Sequence, residues 1–228
     1  MKLTVLGKYG PYPPAGGATS GYLVTQGETK LVLDMGSGVL SRLLSKTDIG
    51  KITAIYLSHF HYDHTSDLLP LRYLLESSGQ TLKIYAAVED TPWCKLLLGH
   101  GGFEVIDTTG RACLNIGGFI CDFFATRHSV PNYAIKIRGE RTLVYTGDAV
   151  FSPDIYGFIG GADAALGDFS KPVGFVGPHM TVDRAVDISQ KTGVRIIATH
   201  IDPSYDPREY LKGFPDIEVA EENAEYEI

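Results

Sequence analysis

The residues that most restrict what this chain can become are His59-Phe60-His61-Tyr62-Asp63-His64, which follow directly on an apolar strand predicted over 54–58. Four potential metal ligands occupy these six positions. Side chains of extended backbone alternate with a period of two, so His59 and His61 point the same way and both imidazoles reach one ion. Asp63 and His64 fall at the start of a helix predicted over 66–77, where the chain turns and aims them at a neighbouring point. One hexapeptide therefore serves two ions. The plain alternative is a polar loop with fortuitous histidines, but His and Asp crowd at ligand spacing too rarely for it to compete.

Around this segment, runs rich in branched and aromatic residues predict strands over 2–6, 21–25, 30–34, 54–58, 82–86, 119–125, 133–137, 142–146 and 195–199. Helical periodicity appears over 37–45, 66–77, 92–98 and 181–192, so the class is mixed α and β. Two pairs of segments echo each other: LVLDMGSG (31–38) with LVYTGDAV (143–150), and AIYLSHFHYDH (54–64) with RIIATHIDPSYD (195–206). Each is a strand ending in Asp or His. Two similar β-rich halves that face each other, with one site where their edges converge, would produce that echo. The Gly/Pro-rich stretch 7–21 reads as a long loop and the acidic ending 218–228 as a solvated tail. No linker divides the chain, so residues 1–228 are expected to form one domain.

Composition narrows the function classes. Twenty Lys and Arg against twenty-seven Asp and Glu leave a net charge of −7, which repels a polyanion and disfavours general nucleic-acid binding. With 44% hydrophobic and 21% charged residues the chain is neither disordered nor fibrous. No run approaches the roughly twenty apolar residues of a membrane span, and the start MKLTVLGKYGPYPP lacks the features of a signal peptide. A cytoplasmic protein with no membrane partner is the expectation. Cys94, Cys113 and Cys121 form no CxxC pair and are expected to be reduced, inert core thiols.

The remaining histidines are His100, His128, His179 and His200. His128 follows the strand over 119–125, Asp148 follows 142–146 within YTGD, and His200 ends 195–199. Singly, each reads equally well as a capped histidine or a turn residue. Jointly with the hexapeptide they read as a metal site.

On these residues the chain resembles the metallo-β-lactamase-fold hydrolases, within them the ribonuclease Z and phosphodiesterase-like branch. HxHxDH, Asp34 in LVLDMGSG, His128, Asp148 in YTGD, His179 in PHMT and His200 in IIATHID span nearly the whole chain. The resemblance implies an α+β fold, an αβ/βα four-layer sandwich of two facing mixed β-sheets with outer helices, and a dinuclear site at its rim. It implies that His59, His61 and His128 hold one metal, that Asp63, His64 and His200 hold the second, and that Asp148 bridges them. Asp34 would be a supporting carboxylate, and Asp63 and His179 would act in catalysis, His179 by protonating the departing oxygen. His179 precedes Thr181, the expected N-cap of the helix reaching 192, which would put its imidazole near a positive helix end.

Imidazole and carboxylate ligands without thiolate suit two divalent ions, with zinc the default and manganese or iron alternatives. Two such ions roughly 3.5–4 Å apart hold a bridging hydroxide and offset transition-state charge. A purely structural zinc needs four closed ligands, not seven in two sets, so an idle metal site is disfavoured. The expected function is a phosphodiesterase acting on a small or cyclic phosphodiester. Alternatives are a ribonuclease Z-like RNA nuclease and a thioester, lactone or lactam hydrolase. The sequence shows no counterpart of the Gly-rich basic arm by which ribonuclease Z grips tRNA, and the 28 residues after His200 leave no room for the helical domain of glyoxalase II. The partner is thus expected to be a small-molecule phosphodiester rather than tRNA, with a homodimer left open. Tyr9, Tyr12 and the segment 151–158 read as packing or as a pocket wall, with Ser152-Pro153 starting a helix. Gly16-Gly17-Ala18 lacks the spacing of a phosphate-binding fingerprint.

Overall fold

The echo between the two halves of the sequence becomes two seven-stranded mixed sheets. The computed structural model describes residues 1–99 and 101–228, so His100 lies outside the described residues. The first sheet contains β1 (Lys2–Gly7), β2 (Gly21–Gln26), β3 (Thr29–Leu33), β4 (Ala54–Leu57), β5 (Leu82–Ala86) and β6 (Phe103–Asp107) in that order. In the second, β7 (Cys113–Ile116), β8 (Phe119–Thr126), β9 (Asn132–Arg138), β10 (Thr142–Tyr145), β11 (Ala164–Asp168), β12 (Arg195–Thr199) and β13 (Ile217–Val219) follow one another in order. A last short strand, β14 (Glu225–Glu227), returns to the first sheet and pairs antiparallel with β1. Each sheet switches from antiparallel to parallel at its centre: β3 pairs antiparallel with β2 and parallel with β4, as β10 does with β9 and β11.

Three apolar clusters stack these sheets into four layers. Between the sheets, Leu3, Tyr22, Leu31 and Tyr56 meet Ile135, Leu143, Tyr145 and Leu166. On the outer face of the first sheet pack α1 (Val39–Lys46), α3 (Leu68–Ser78) and α4 (Pro92–Leu98), through Val39, Leu43, Leu71, Leu75 and Leu97. On the outer face of the second, α5 (Asp154–Ile159), α6 (Val182–Thr192) and α7 (Arg208–Leu211) contribute Ile155, Ile159, Val182, Ile188 and Leu211. Central strands buried on both faces cannot show polar alternation, which is why β4 reads AIYL without a break. Among the described residues no helix is long and apolar enough to cross a membrane.

Several expectations are corrected. The ending 218–228 is not a solvated tail: Val219 closes β13, and β14 buries Tyr226 against the inner core. Its acidic residues are held by cations of both halves, Glu221 2.9 Å from the buried Lys8, Glu222 2.5 Å from Arg42, and Glu218 2.5 Å from Arg195. Cys113 is exposed on an edge strand, whereas Cys94 and Cys121 are buried. Asp63 and His64 do not start the long helix; they occupy a separate turn, α2 (Tyr62–Thr65), before α3 begins at Leu68. The strand β11 escaped prediction because AALGD has small residues and little β-propensity, yet all five residues are buried. Its position also revises the second echo: β4 corresponds topologically to β11, and β12 to β5.

Removing the Tyr226 side chain should expose the inner core at the first sheet's edge. Tyr226→Ala is expected to cost about 3 kcal/mol, lowering the melting temperature by roughly 6–12 °C in a thermal unfolding scan. A solvated tail would leave it unchanged.

Candidate metal centre

Six strands deliver their carboxyl ends to one rim. Asp34 follows β3, His59 lies just past β4, His128 past β8, Asp148 past β10, Asp168 ends β11, and His200 follows β12. Asp34 and His200 both have φ of 58°, a left-handed conformation that non-glycine residues adopt at a cost of order 1 kcal/mol. At Asp34 that turn folds a fully buried carboxylate back beneath the hexapeptide. Its Oδ1 accepts a hydrogen bond from the Ser58 backbone N–H at 2.7 Å. Its Oδ2 accepts from Ser58 Oγ at 2.7 Å, Tyr145 Oη at 2.6 Å and His64 Nδ1 at 2.7 Å.

The side chains named from the sequence converge on Asp148. His59 Nε2 lies 3.0 Å from His61 Nδ1, and His128 Nε2 lies 3.1 Å from the same atom. Asp148 Oδ2 is 3.8 Å from both His59 Nε2 and His128 Nε2, completing one group. The other group is built on Asp63, whose Oδ2 lies 3.1 Å from His200 Nε2 and 3.7 Å from His64 Nε2. Asp148 reaches it with Oδ2 at 3.2 Å from His200 Nε2 and Oδ1 at 3.3 Å from His64 Nε2. In each group the ligand atoms lie within 4.8 Å of one another, so each could hold one ion, with Asp148 common to both.

Outer hydrogen bonds fix which imidazole nitrogen faces inward. Ser58 Oγ donates to Asp34 and so accepts from His59 Nδ1, 3.0 Å away. His64 Nδ1 is engaged by Asp34, and His128 Nδ1 donates to the Pro178 carbonyl at 3.0 Å. In all three the lone pair of Nε2 is left for the centre. His61 is turned the other way, with Nε2 3.3 Å from Ser129 Oγ and Nδ1 inward. His64 Nε2 and Asp148 Oδ1 are buried 3.3 Å apart, and neither makes a well-directed hydrogen bond to the other or to any further group. An unsatisfied buried polar atom costs roughly 1–3 kcal/mol, and a cation between these two would satisfy both. The donor set therefore fits divalent metal ions.

The two groups differ in charge. Burial pushes His59, His61 and His128 below the ordinary histidine range, His59 furthest. Burial also disfavours charge on His64 and His200, but Asp148 and Asp63 outweigh it. His64 is held well above the ordinary value, and His200 is raised to about 9. Reciprocally, burial alone would raise the Asp148 carboxyl, yet His200 and His64 hold it well below the usual carboxylate range.

His179 stands beside both groups and makes with Asp148, Asp168 and His200 a third, overlapping set of ligand atoms within 4.8 Å of one another; its Nδ1 is 2.7 Å from Asp168 Oδ2 and 3.7 Å from Asp148 Oδ2. Asp168 also lies 3.6 Å from His200 Nδ1, close enough for charge attraction but not for a hydrogen bond. The sequence reading missed Asp168; its signal was the pattern of a short buried run ending in Asp, the same as at Asp34. Thr181 is the N-cap of α6 as expected, but without a side-chain capping bond, and it is Asp168 that orients His179. Gly10 was missed as well: a Cβ there would stand 2.0 Å from His200 Nε2, so backbone packs directly on that ring. From the segment 151–158, Ser152-Pro153 does start a helix, and Phe151 lines a cavity next to His179. Tyr9 is tied into the loop by bridges to Thr19 and Ile201.

Residues 29–201 match the family described as β-lactamase superfamily domain. The chain is 33% identical over 212 residues to the probable metallo-hydrolase YhfI of Bacillus subtilis, covering 88% of this chain and 87% of YhfI. The crystal structure of YhfI, a metallo-β-lactamase fold protein, has a TM-score of 0.92 at 30% identity and covers 99% of this chain and 98% of that chain. Two more distant structures share the fold. The short form of human tRNase Z has a TM-score of 0.79 at 19% identity, covering 100% of this chain and 99% of that one. A diphosphatase from the PhnP family has a TM-score of 0.80 at 19% identity, covering 100% and 97%.

Two predictions follow from the geometry around His200. Gly10→Ala should displace that ring and lose one of about two bound ions per chain, which elemental analysis of reconstituted protein would show as a stoichiometry near one. In the metal-free protein a cation entering beside Asp63 must displace protons from His64 and His200, both raised. Its binding should therefore tighten as pH rises from about 6.5 toward about 9. Binding beside His59, His61 and His128, already neutral over that range, should change little. Metal titrations across this pH interval, resolving the two equivalents, check the contrast.

Proposed function

This chain belongs to the β-lactamase superfamily, a metallo-hydrolase by family, and on that premise we propose that it is a dinuclear phosphodiesterase acting on a small or cyclic phosphodiester. The observation that carries the reading is His179, a histidine outside both ligand groups, oriented by the buried Asp168 and placed 3.7 Å from Asp148. A phosphodiester with an alkyl leaving group expels a strongly basic alkoxide, which a positioned acid can protonate as it departs. The distant structural neighbours are named as a tRNase Z and a diphosphatase, and those names support a phosphorus-centred substrate. The net charge of −7 favours a small substrate over a polyanion.

In this reading His59, His61 and His128 hold one ion, Asp63, His64 and His200 the other, and Asp148 both, with zinc the default metal. Two divalent cations, when bound, supply Lewis acidity toward the phosphoryl oxygens and lower the pKa of a water between them. The chain's own residues do the rest. Asp148 and Asp63, both held below the usual carboxylate range, stay anionic and keep the flanking histidines in place. Asp168 accepts a hydrogen bond from Nδ1–H of His179, so that the imidazolium form presents its Nε2–H to the departing oxygen, gives up that proton and is left neutral. Asp34 fixes the hexapeptide through Ser58 and His64, so the ligand geometry is set before substrate arrives.

His179→Ala should leave metal content near that of the unmodified protein. It should slow phosphodiesters with alkyl leaving groups by roughly 10²–10⁴-fold while slowing nitrophenyl esters far less. Parallel kcat measurements on the two substrate types check this. Loss of metal, or an equal drop for both, would assign His179 to ligation or positioning instead.

A further inference from the structure

His179 also lines a cavity of about 310 Å³, whose walls include Phe151, Phe175, Val176 and Arg184. No acidic side chain is among the described residues that line it. If His179 protonates the departing oxygen, the departing half of the substrate must lie on its side of the centre, and this cavity is the space available there.

Arg184 is unusual within it. Its guanidinium sits 4.3 Å above the ring of Phe151, which in turn meets Tyr156 edge-on at 5.5 Å. Tyr156 is tied to α6 by donating a hydrogen bond to Asp187. The stack therefore fixes the guanidinium through packing. The nearest carboxylates, Asp183 and Asp187, stand 3.9 and 3.8 Å from its nitrogens, outside hydrogen-bond reach. Among the described residues, no protein acceptor takes a hydrogen bond from the Arg184 side chain, which is 41% exposed. Asp183 and Asp187 are therefore at ion-pair distance from the guanidinium but leave its N–H donors without a hydrogen bond, and a planar fork of such donors at the cavity wall matches the oxygens of a phosphate. The facing wall is also anchored. The loop over 172–180 is closed at its neck by a bridge between Lys171 and Thr181, with the Val182 N–H donating to the Lys171 carbonyl at 2.8 Å. It presents Phe175, 38% exposed, to the same space.

We infer that the cavity receives the departing half of the phosphodiester and that Arg184 binds a second, phosphomonoester group carried by that half. The substrate class is a small phosphodiester whose leaving group is itself phosphorylated, with a flat or apolar body between Phe151 and Phe175. The inference takes the reaction from the phosphodiesterase reading above, but the anion site stands on the placement of Arg184.

The metal-loaded full chain is assayed on three deoxyadenosine dinucleotides: one without a terminal phosphate, one with a 5′ phosphate and one with a 3′ phosphate. One of the phosphorylated pair, the one whose departing nucleoside bears the phosphate, should show kcat/KM at least about tenfold above the unphosphorylated compound. In Arg184→Met, which keeps an apolar side chain on Phe151, that ratio should fall to within about twofold, and Arg184→Lys should retain part of it. Equal kcat/KM for all three, or a preference that survives Arg184→Met, overturns the inference. Should the protein hydrolyse none of them, the phosphodiesterase reading fails by itself, and calorimetry judges Arg184. Deoxyadenosine 3′,5′-bisphosphate should then bind at least about tenfold more tightly than the 5′-monophosphate, a ratio that Arg184→Met abolishes; an unchanged ratio overturns the site.

Discussion

The centre rests on one buried carboxylate. Asp34 has no exposure and receives hydrogen bonds from four donors: the Ser58 backbone and side chain, His64, and Tyr145 of the opposite sheet. A buried anion is tolerable only where its oxygens are satisfied, and here the satisfying donors come from both halves of the molecule. The same contacts set the imidazole tautomers, since Ser58 in turn orders His59. Packing of the two sheets and placement of the ligands are thus one constraint. Tyr22, which donates to or accepts from Thr199 at 2.7 Å, makes a parallel link between the first sheet and the strand leading to His200.

The two ligand groups solve the problem of crowding five imidazoles and two carboxylates in different ways. Beside His61 the histidines outnumber the single anion, and burial keeps them neutral. Beside Asp63 the carboxylates outweigh burial and raise both histidines above their ordinary value. Asp148 belongs to both, with His64 near Oδ1 and histidines of both groups, His59, His128 and His200, near Oδ2. The metal-free centre is therefore folded around internal charge pairs that a cation replaces, which makes metal binding a substitution within an existing cage.

Backbone fills the places where no side chain fits. Gly10 abuts His200, and a Cβ at Gly36 would stand 2.1 Å from the carbonyl oxygen of Asp63. Gly10 belongs to the stretch read only as a Gly/Pro-rich loop, and Gly36 to LVLDMGSG, read for its Asp34. Their function is steric: they let the chain pass close to the ligands and hold them from behind, and they do so without contributing a functional group. On the outer side, the loop over 172–180 and α6 bring His179 and Arg184 to one cavity, so the proposed acid and the proposed anion-binding cation come from a single stretch of chain.

What the sequence determined by itself was the chemistry and its strand-end placement. His59, His61, Asp63 and His64 could be read because local backbone periodicity alone orients them. His128, Asp148 and His200 could be read because a polar residue after an apolar run marks a strand exit. What the tertiary structure decided was everything that depends on contacts between distant residues. Asp168 looked like the end of a weak strand until β11 placed it behind His179 and His200. The acidic ending looked solvated because Lys8 and Arg42, the partners of Glu221 and Glu222, lie more than 170 positions away. Arg184 looked like one more exposed helical charge until Phe151, 33 positions earlier, came to lie beneath it. Periodicity is a property of neighbours along the chain and survives in the sequence, whereas the sharing of a carboxylate, a ring face or a cavity is settled only when the sheets close on each other.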